Sequence, residues 1–568
     1  MLRFDTGTVA RTLPTAALVA AAAGIAWLAN GSTSGPDWLP YALLAGLLLA
    51  VVLASSDASR PRGNELVALG ALVLLAGWAA LSISWSAVPP LARDEALLTL
   101  FYAIALAVPL LTLRTSGDRE LACGAVASAS GLLAIGSGIV LRSGGHQLDH
   151  FYLGRLSYPI SYPNALAAVF LIGFWPAVVL ASRRTLPVVA RMLALATATA
   201  IASGWLTAQS KGGIVALAAS AALVFGLSPM RLRLLPPTLI AAALSASAYR
   251  PLTAPFRTET VANVWSAGSF LAAVAVLVAV FFARVYHPGW LDEKWRAFTH
   301  APSSGNTSSH LFQLGSYRYD IWRVAVHQFE HHPLAGIGSR GFGPAYLQNR
   351  HSPDTPARAH SVELDALSEL GVVGFALLLL AIVPVFVPVV ARMRARDPAA
   401  TAAFAGGAYW LVHASVDWIW TVPACGVPFF LLLGAGNSGG ERRTLARRAA
   451  VPAAVAAVLV ALVLFVPPWL SARLTDRGQI HWAKRLDPLS VDPYVAEAAR
   501  APTPRAAASL LAQAVRKEPR VVELRFDLGL AYQRAHELRK ARAALLEAKR
   551  LDPRELRIDE AFKSLPKR

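Results

Sequence analysis

Long apolar runs separated by short polar loops make up the first 470 residues. Runs long enough to cross a bilayer as helices fall near residues 12–30, 38–54, 65–84, 95–112, 120–141, 164–182, 186–207, 212–228, 232–248, 263–284, 366–391, 400–417, 420–436 and 449–470. The pattern predicts an all-α polytopic membrane helix bundle with about 12–14 transmembrane helices over residues 1–475. One stretch interrupts it. From His331 to Gly371 two glycine-rich turns, several arginines and a histidine stand directly before an apolar run. This stretch lies in the long polar loop 286–365 and can present donors and a base at the mouth of the bundle, so the loop is read as the active-site loop.

Composition agrees: 55% of residues are hydrophobic and only 15% are charged, which excludes an ordinary soluble enzyme. The net charge of +19 raises nucleic acid as a partner, but the arginines lie in short loops between apolar runs, where topology accounts for them. With the N-terminus inside, Arg60, Arg62, Arg114, Arg119, Arg183, Arg184, Arg191, Arg231 and Arg233 fall on the cytoplasmic side. Counting back from Arg392, Arg394, Arg396, Arg442 and Arg443 places loop 286–365 and the C-terminal segment outside. The two counts conflict between Lys211 and Arg318, where three apolar runs lie; 263–284 or 232–248 is therefore expected to be re-entrant, interfacial or miscounted as a span. Arg3 and Arg11 precede a run long enough to be a retained first helix rather than a cleaved signal. Cys123 and Cys425 fall in or beside apolar segments and support neither a disulfide framework nor a cysteine metal site.

After the last run the chain becomes charged, alanine-rich and helical. Ala507 and Ala541, Ala514 and Ala548, and Pro519 and Pro553 are each 34 residues apart, the period of a tetratricopeptide repeat. Residues 478–568 are therefore expected to form a small repeat domain that leans on the membrane part or on a protein partner.

His360 ends the polar loop and opens the run at 366–391, where a neutral imidazole can take a proton from an acceptor hydroxyl. Lys211, at the lip of a span, is a cation in a costly position and so a functional candidate. Arg318 and Arg340 would add fixed positive charge on the same side, suited to a pyrophosphate. Glu369 either orients a ligand or caps a helix. His413 and Asp417, at i, i+4 spacing, form a candidate polar pair. His327 and His331 have helical ligand spacing, but no cysteine or carboxylate pair completes a metal site, and neither metal nor cofactor is expected.

Several of these elements occur in a particular order. They are Tyr162-Pro163-Asn164-Ala165, Leu206 to Gly213, Arg318 before Ile321-Trp322, His332 to Gly338, and Ala359-His360 with Leu364, Glu369 and Gly371. Over about residues 60 to 435 the chain resembles the O-antigen ligase and O-antigen polymerase family of bacterial membrane glycosyltransferases. The resemblance implies a metal-independent, multi-helix glycosyltransferase acting outside the cell membrane on glycans carried by undecaprenyl pyrophosphate. It implies that His360 deprotonates or positions the acceptor hydroxyl, while Arg318 and Lys211 hold the pyrophosphate. Arg340, Glu369, Asn164 and Ser361 would contribute to substrate binding. Lys211 stands where the family usually has arginine, and Ser361 where it usually has asparagine. The acceptor is a glycan, lipid or protein.

Two other classes fit parts of the pattern. A lipid-linked glycan transporter would show inverted repeats and broken helices at mid-membrane. A non-catalytic scaffold would depend on residues 478–568 and not on His360, Arg318 or Lys211.

Overall fold

The computed structural model describes residues 6–55, 57–143, 147–253, 296 and 317–565; the run at 263–284 lies outside them. The other runs coincide with helices. These are α1 (Thr6–Leu28), α2 (Gly35–Ala54), α3 (Gly63–Leu81), α4 (Pro89–Thr112), α5 (Ser116–Ser143), α6 (Pro163–Leu171), α7 (Phe174–Ala181), α8 (Val188–Ala208), α9 (Lys211–Leu227) and α10 (Arg231–Thr253). The polar loop holds α11 (Arg318–His331) and α12 (Phe342–Asn349), and the bundle closes with α13 (Val362–Arg394), α14 (Pro398–Ala414), α15 (Pro423–Asn437) and α16 (Arg447–Asp476). Among the described residues nine helical stretches are long and apolar enough to cross a membrane. The protein is an all-α multi-pass membrane bundle.

Burial orders the bundle. The span from Pro89 to Thr112 and the broken span from Pro163 to Ala181 are the most enclosed, and the peripheral α16 is the least, together with α8. An aromatic core joins them: Trp410 stacks on Phe429 at 4.0 Å and Tyr102 on Phe430 at 5.2 Å.

Ion pairs mark one face of the bundle. Arg442 pairs with buried Glu65 at 2.7 Å, Arg119 with Asp397 at 2.6 Å, Arg11 with Asp118 at 2.8 Å and Arg183 with Glu120 at 3.0 Å. The opposite face carries the polar loop. The described part of the disputed stretch between Lys211 and Arg318 is the helix pair α9–α10, and the run 263–284 lies outside the described residues. Met230 contacts Thr401 at the arginine-rich face. Ser245 bonds the Thr199 carbonyl of α8, and Ala248 lies near Thr207. The chain thus runs away from Lys211 along α9 and doubles back along α10 beside α8. The 232–248 run is part of α10 and packs along α8.

Beyond Asp476 come α17 (Ile480–Leu486), α18 (Asp492–Ala499), α19 (Pro504–Lys517), α20 (Val522–Arg534), α21 (Leu538–Leu551) and α22 (Leu556–Lys563). The buried positions of α19 (Ala508, Leu511, Ala514, Val515) and α21 (Ala541, Ala544, Leu545, Ala548, Leu551) recur at helical spacing and face their neighbours.

Candidate functional site

Asp417 stands past the end of α14 at Ala414, fully buried. Tyr162 Oη donates to its Oδ1 at 2.6 Å, as does its neighbour Trp418 N at 2.9 Å. Asn164 Nδ2 donates to Oδ2 at 2.6 Å and Arg318 Nη2 at 3.1 Å. His360 Nδ1 faces Oδ1 at 3.4 Å. Burial alone would raise this carboxyl. The facing His360 imidazole and the Arg318 guanidinium outweigh it and hold Asp417 well below the usual carboxylate range.

Local structure sets each partner. Pro163 opens α6, its missing N–H being one the first turn leaves unpaired anyway, and this presents Asn164 at the helix head. Asn164 Oδ1 in turn accepts from Arg155 Nη2 at 2.6 Å, while Arg155 Nε reaches the Ala208 carbonyl at 3.1 Å. Arg318 opens α11 and also donates to the Val416 carbonyl. Lys211 is the first residue of α9, whose start is capped by Ser210. The charges of Arg155 and Arg318 both act on it. At Gly212 a Cβ would stand 2.9 Å from His413 Nε2, so the close seating of α9 on α14 needs glycine there.

His360 has φ 54°, in the left-handed region. The flanking backbone fixes it: Ala359 N donates to Asp365 Oδ1 at 2.8 Å, and Ser361 caps α13 by accepting from Leu364 N at 3.4 Å. Ser361 Oγ also donates to Glu363 at 2.8 Å, so this serine shapes the loop and does not touch Asp417.

Arg340 and Glu369 lie together in a second cluster. Arg340 Nε and Arg358 Nη2 both donate to Glu95 Oε2, at 2.8 and 3.0 Å, and Trp420 Nε1 donates to Oε1 at 2.6 Å. Glu369 accepts from Arg358 at 3.0 Å, from Arg340 N at 2.8 Å and from Phe342 N at 3.3 Å. Glu369 therefore caps α12, across the loop from its own helix. Arg340 is enclosed by carboxylates and stands apart from Arg318 and Lys211. The glycines of the loop interlock with α13. Gly336 (φ 64°) has no room for a Cβ against Glu369 C at 2.2 Å, nor Gly371 (φ 67°) against Leu334 O at 2.2 Å. Ile337 N, Gly338 N and Val372 N bond across this crossing to Ser368, Glu369 and Pro333 carbonyls, at 3.0, 2.9 and 2.8 Å.

His413 does not pair with Asp417. Its Nδ1 meets Tyr409 Oη at 2.9 Å, because α14 stops before position 417 and helical spacing no longer applies. His327 and His331 have ring centres 4.2 Å apart, and His331 Nδ1 is 2.8 Å from the His327 carbonyl. Arg155, Glu95 and Arg358 were not singled out from sequence, and Asp417 was paired there with His413 instead of with Tyr162, Asn164 and Arg318. The available signal was a carboxylate set within or beside an apolar run, a costly placement that needs a partner.

A bundle of apolar helices with a cation-rich polar cluster at one mouth defines a multi-pass membrane protein organised around a polar site. Residues 196–379 match the family model described as O-antigen ligase. The matched stretch contains Lys211, Arg318, Arg340, His360, Ser361 and Glu369, and leaves Asn164 and Asp417 outside it. No curated protein matches the chain. The family match supports a glycosyltransferase-like enzyme with a role in cell-surface glycan ligation or polymerisation.

Proposed function

We propose that this protein transfers or polymerises a glycan from an undecaprenyl-pyrophosphate-linked donor onto an acceptor hydroxyl outside the cell membrane. The reading is carried by the 3.4 Å approach of His360 Nδ1 to the buried, charged Asp417, with Arg318 on the same carboxylate. A carboxylate at Nδ1 favours the tautomer with its proton there and leaves Nε2 free to accept. His360 then takes the proton of the acceptor hydroxyl, and the oxygen attacks the anomeric carbon of the donor. The bond from that carbon to the diphosphate breaks, and the diphosphate leaves with the electron pair. Arg318 and Lys211 meet its charge, supplying the positive field that a divalent cation would otherwise provide. Direct attack inverts the anomeric centre.

In this reading Asn164 orients Asp417, Ser361 fixes the backbone beside the base, and Arg340 with Glu369 shapes the loop. The arginine-rich face is cytoplasmic by the positive-inside rule, which puts the site and the C-terminal helices outside. The 34-residue period of that segment is read as tetratricopeptide-like, a fold suited to docking a protein or glycan partner.

The test is release of undecaprenyl pyrophosphate by the purified protein in lipid, given lipid-linked oligosaccharide from its host and no added metal, for wild type and His360→Ala. Acceptor-dependent release that disappears in the variant supports the proposal. Equal release by both removes His360 as the base, and no release by either removes the transferase reading.

A further inference from the structure

The C-terminal helices are tied to the loop that carries His360. Arg350, ten residues before His360, has a side chain only 4% exposed, and Asp552 only 2%. Arg350 Nη2 and Nε donate to Asp552 at 2.8 and 3.2 Å, while Nη1 donates to the Pro353 carbonyl at 2.8 Å. Around this pair Leu347 of α12 packs with Val522, Leu551 and Ile558. A second tie joins Asp487 to Arg93, two residues from Glu95, the carboxylate that holds Arg358.

The segment between Arg350 and His360 is therefore anchored at both ends. Arg358 is fixed by Glu95 and Glu369 within the membrane part, whereas Arg350 is fixed by the C-terminal helices. A left-handed non-glycine residue persists only where its surroundings over-determine it, and His360 is at the end of this segment. An exposed ion pair would contribute little to that, but a buried bidentate one is different, because losing one partner strands a charge.

We infer that Asp552 is a positioning residue for the His360 loop, acting through Arg350, so that the C-terminal helices take part in the transfer step of their own chain. The inference rests on the transferase reading, and the test separates the two.

The full chain in lipid is compared as wild type, Asp552→Asn, Arg350→Lys and the Arg350→Asp/Asp552→Arg exchange. One arm follows amide hydrogen exchange in peptides covering 350–361 and in α4. The other follows kcat and donor KM for undecaprenyl pyrophosphate release. For Asp552→Asn the expected result is about tenfold faster exchange in 350–361 with α4 unchanged. In the same variant kcat falls about tenfold at constant donor KM. Arg350→Lys, which keeps the charge and loses the fork, shows the same local pattern more weakly, and the exchanged pair recovers part of the loss. Unchanged exchange in 350–361, or a loosened loop with wild-type kcat, overturns the inference. If wild type releases nothing, the transferase reading falls, and the positioning role falls with it. The exchange arm then still shows whether Asp552 clamps the loop.

Discussion

His360 Nδ1 lies 3.4 Å from Asp417 Oδ1, and the same carboxylate accepts from Arg318 Nη2 at 3.1 Å. One buried anion thus faces both the His360 imidazole and the Arg318 guanidinium. Asp417→Asn keeps the shape and removes the charge. We expect kcat for undecaprenyl pyrophosphate release to fall roughly 10²–10⁴-fold, as when the orienting carboxylate of a catalytic histidine is neutralised. A kcat within about threefold of wild type would show that His360 needs no orienting anion.

The backbone of His360 allows a sharper test than alanine. Its φ of 54° suits asparagine, which tolerates the left-handed region, better than alanine. His360→Asn should fold with stability within about 0.5 kcal/mol of wild type and lose transfer, while His360→Ala loses transfer and about 1 kcal/mol as well. Thermal unfolding measured beside the release assay checks both, and residual transfer by the asparagine variant would sink the base assignment.

Glu95 accepts from Arg340, Arg358 and Trp420 together. Glu95→Ala leaves two enclosed guanidinium groups short of a carboxylate, so the expected cost is about 3–5 kcal/mol of stability. Glu95→Gln, which keeps the shape, should cost less. A Glu95→Ala protein with an unchanged unfolding temperature would mean that water enters this cluster freely.

Burial pushes the Glu518 carboxyl in the C-terminal helices up to about 7 from its ordinary 4.5; Asp492 adds to the rise and Lys517 opposes it. The sign follows from proton binding. Between these two pH values the folded chain holds a proton that the unfolded chain has lost, so stability falls as pH rises across the interval and levels off above it. Glu518→Gln should remove this slope and gain on the order of 3 kcal/mol at pH 8. Hydrogen exchange in α19 and α20 between pH 5 and 8, corrected for intrinsic rates, reads it directly. An identical slope in the variant would place the titration elsewhere.

The spans were legible because each is a continuous apolar run, and in the C-terminal helices Ala514 and Ala548, 34 residues apart, are both fully buried. Within the site, His360, Arg318, Lys211 and Asn164 could be named because they stand in short motifs beside spans. What gathers them could not. Asp417 read as a helical partner of His413 until the end of α14 at Ala414 is known, and Arg340 read as a phosphate clamp because its partner, Glu95, lies 245 residues away. Pairings this distant leave no local signature in a single sequence.

Gly336 and Gly371 cross within one another's space, each with backbone where a Cβ would be. Neither strand of that crossing can shift alone. Residues 333–338 and the head of α13 are thus interlocked at the non-helical joint of Gly371, with Pro384 and Pro388 further along the helix. Any rearrangement of residues 333–338 must therefore move the head of α13 with it.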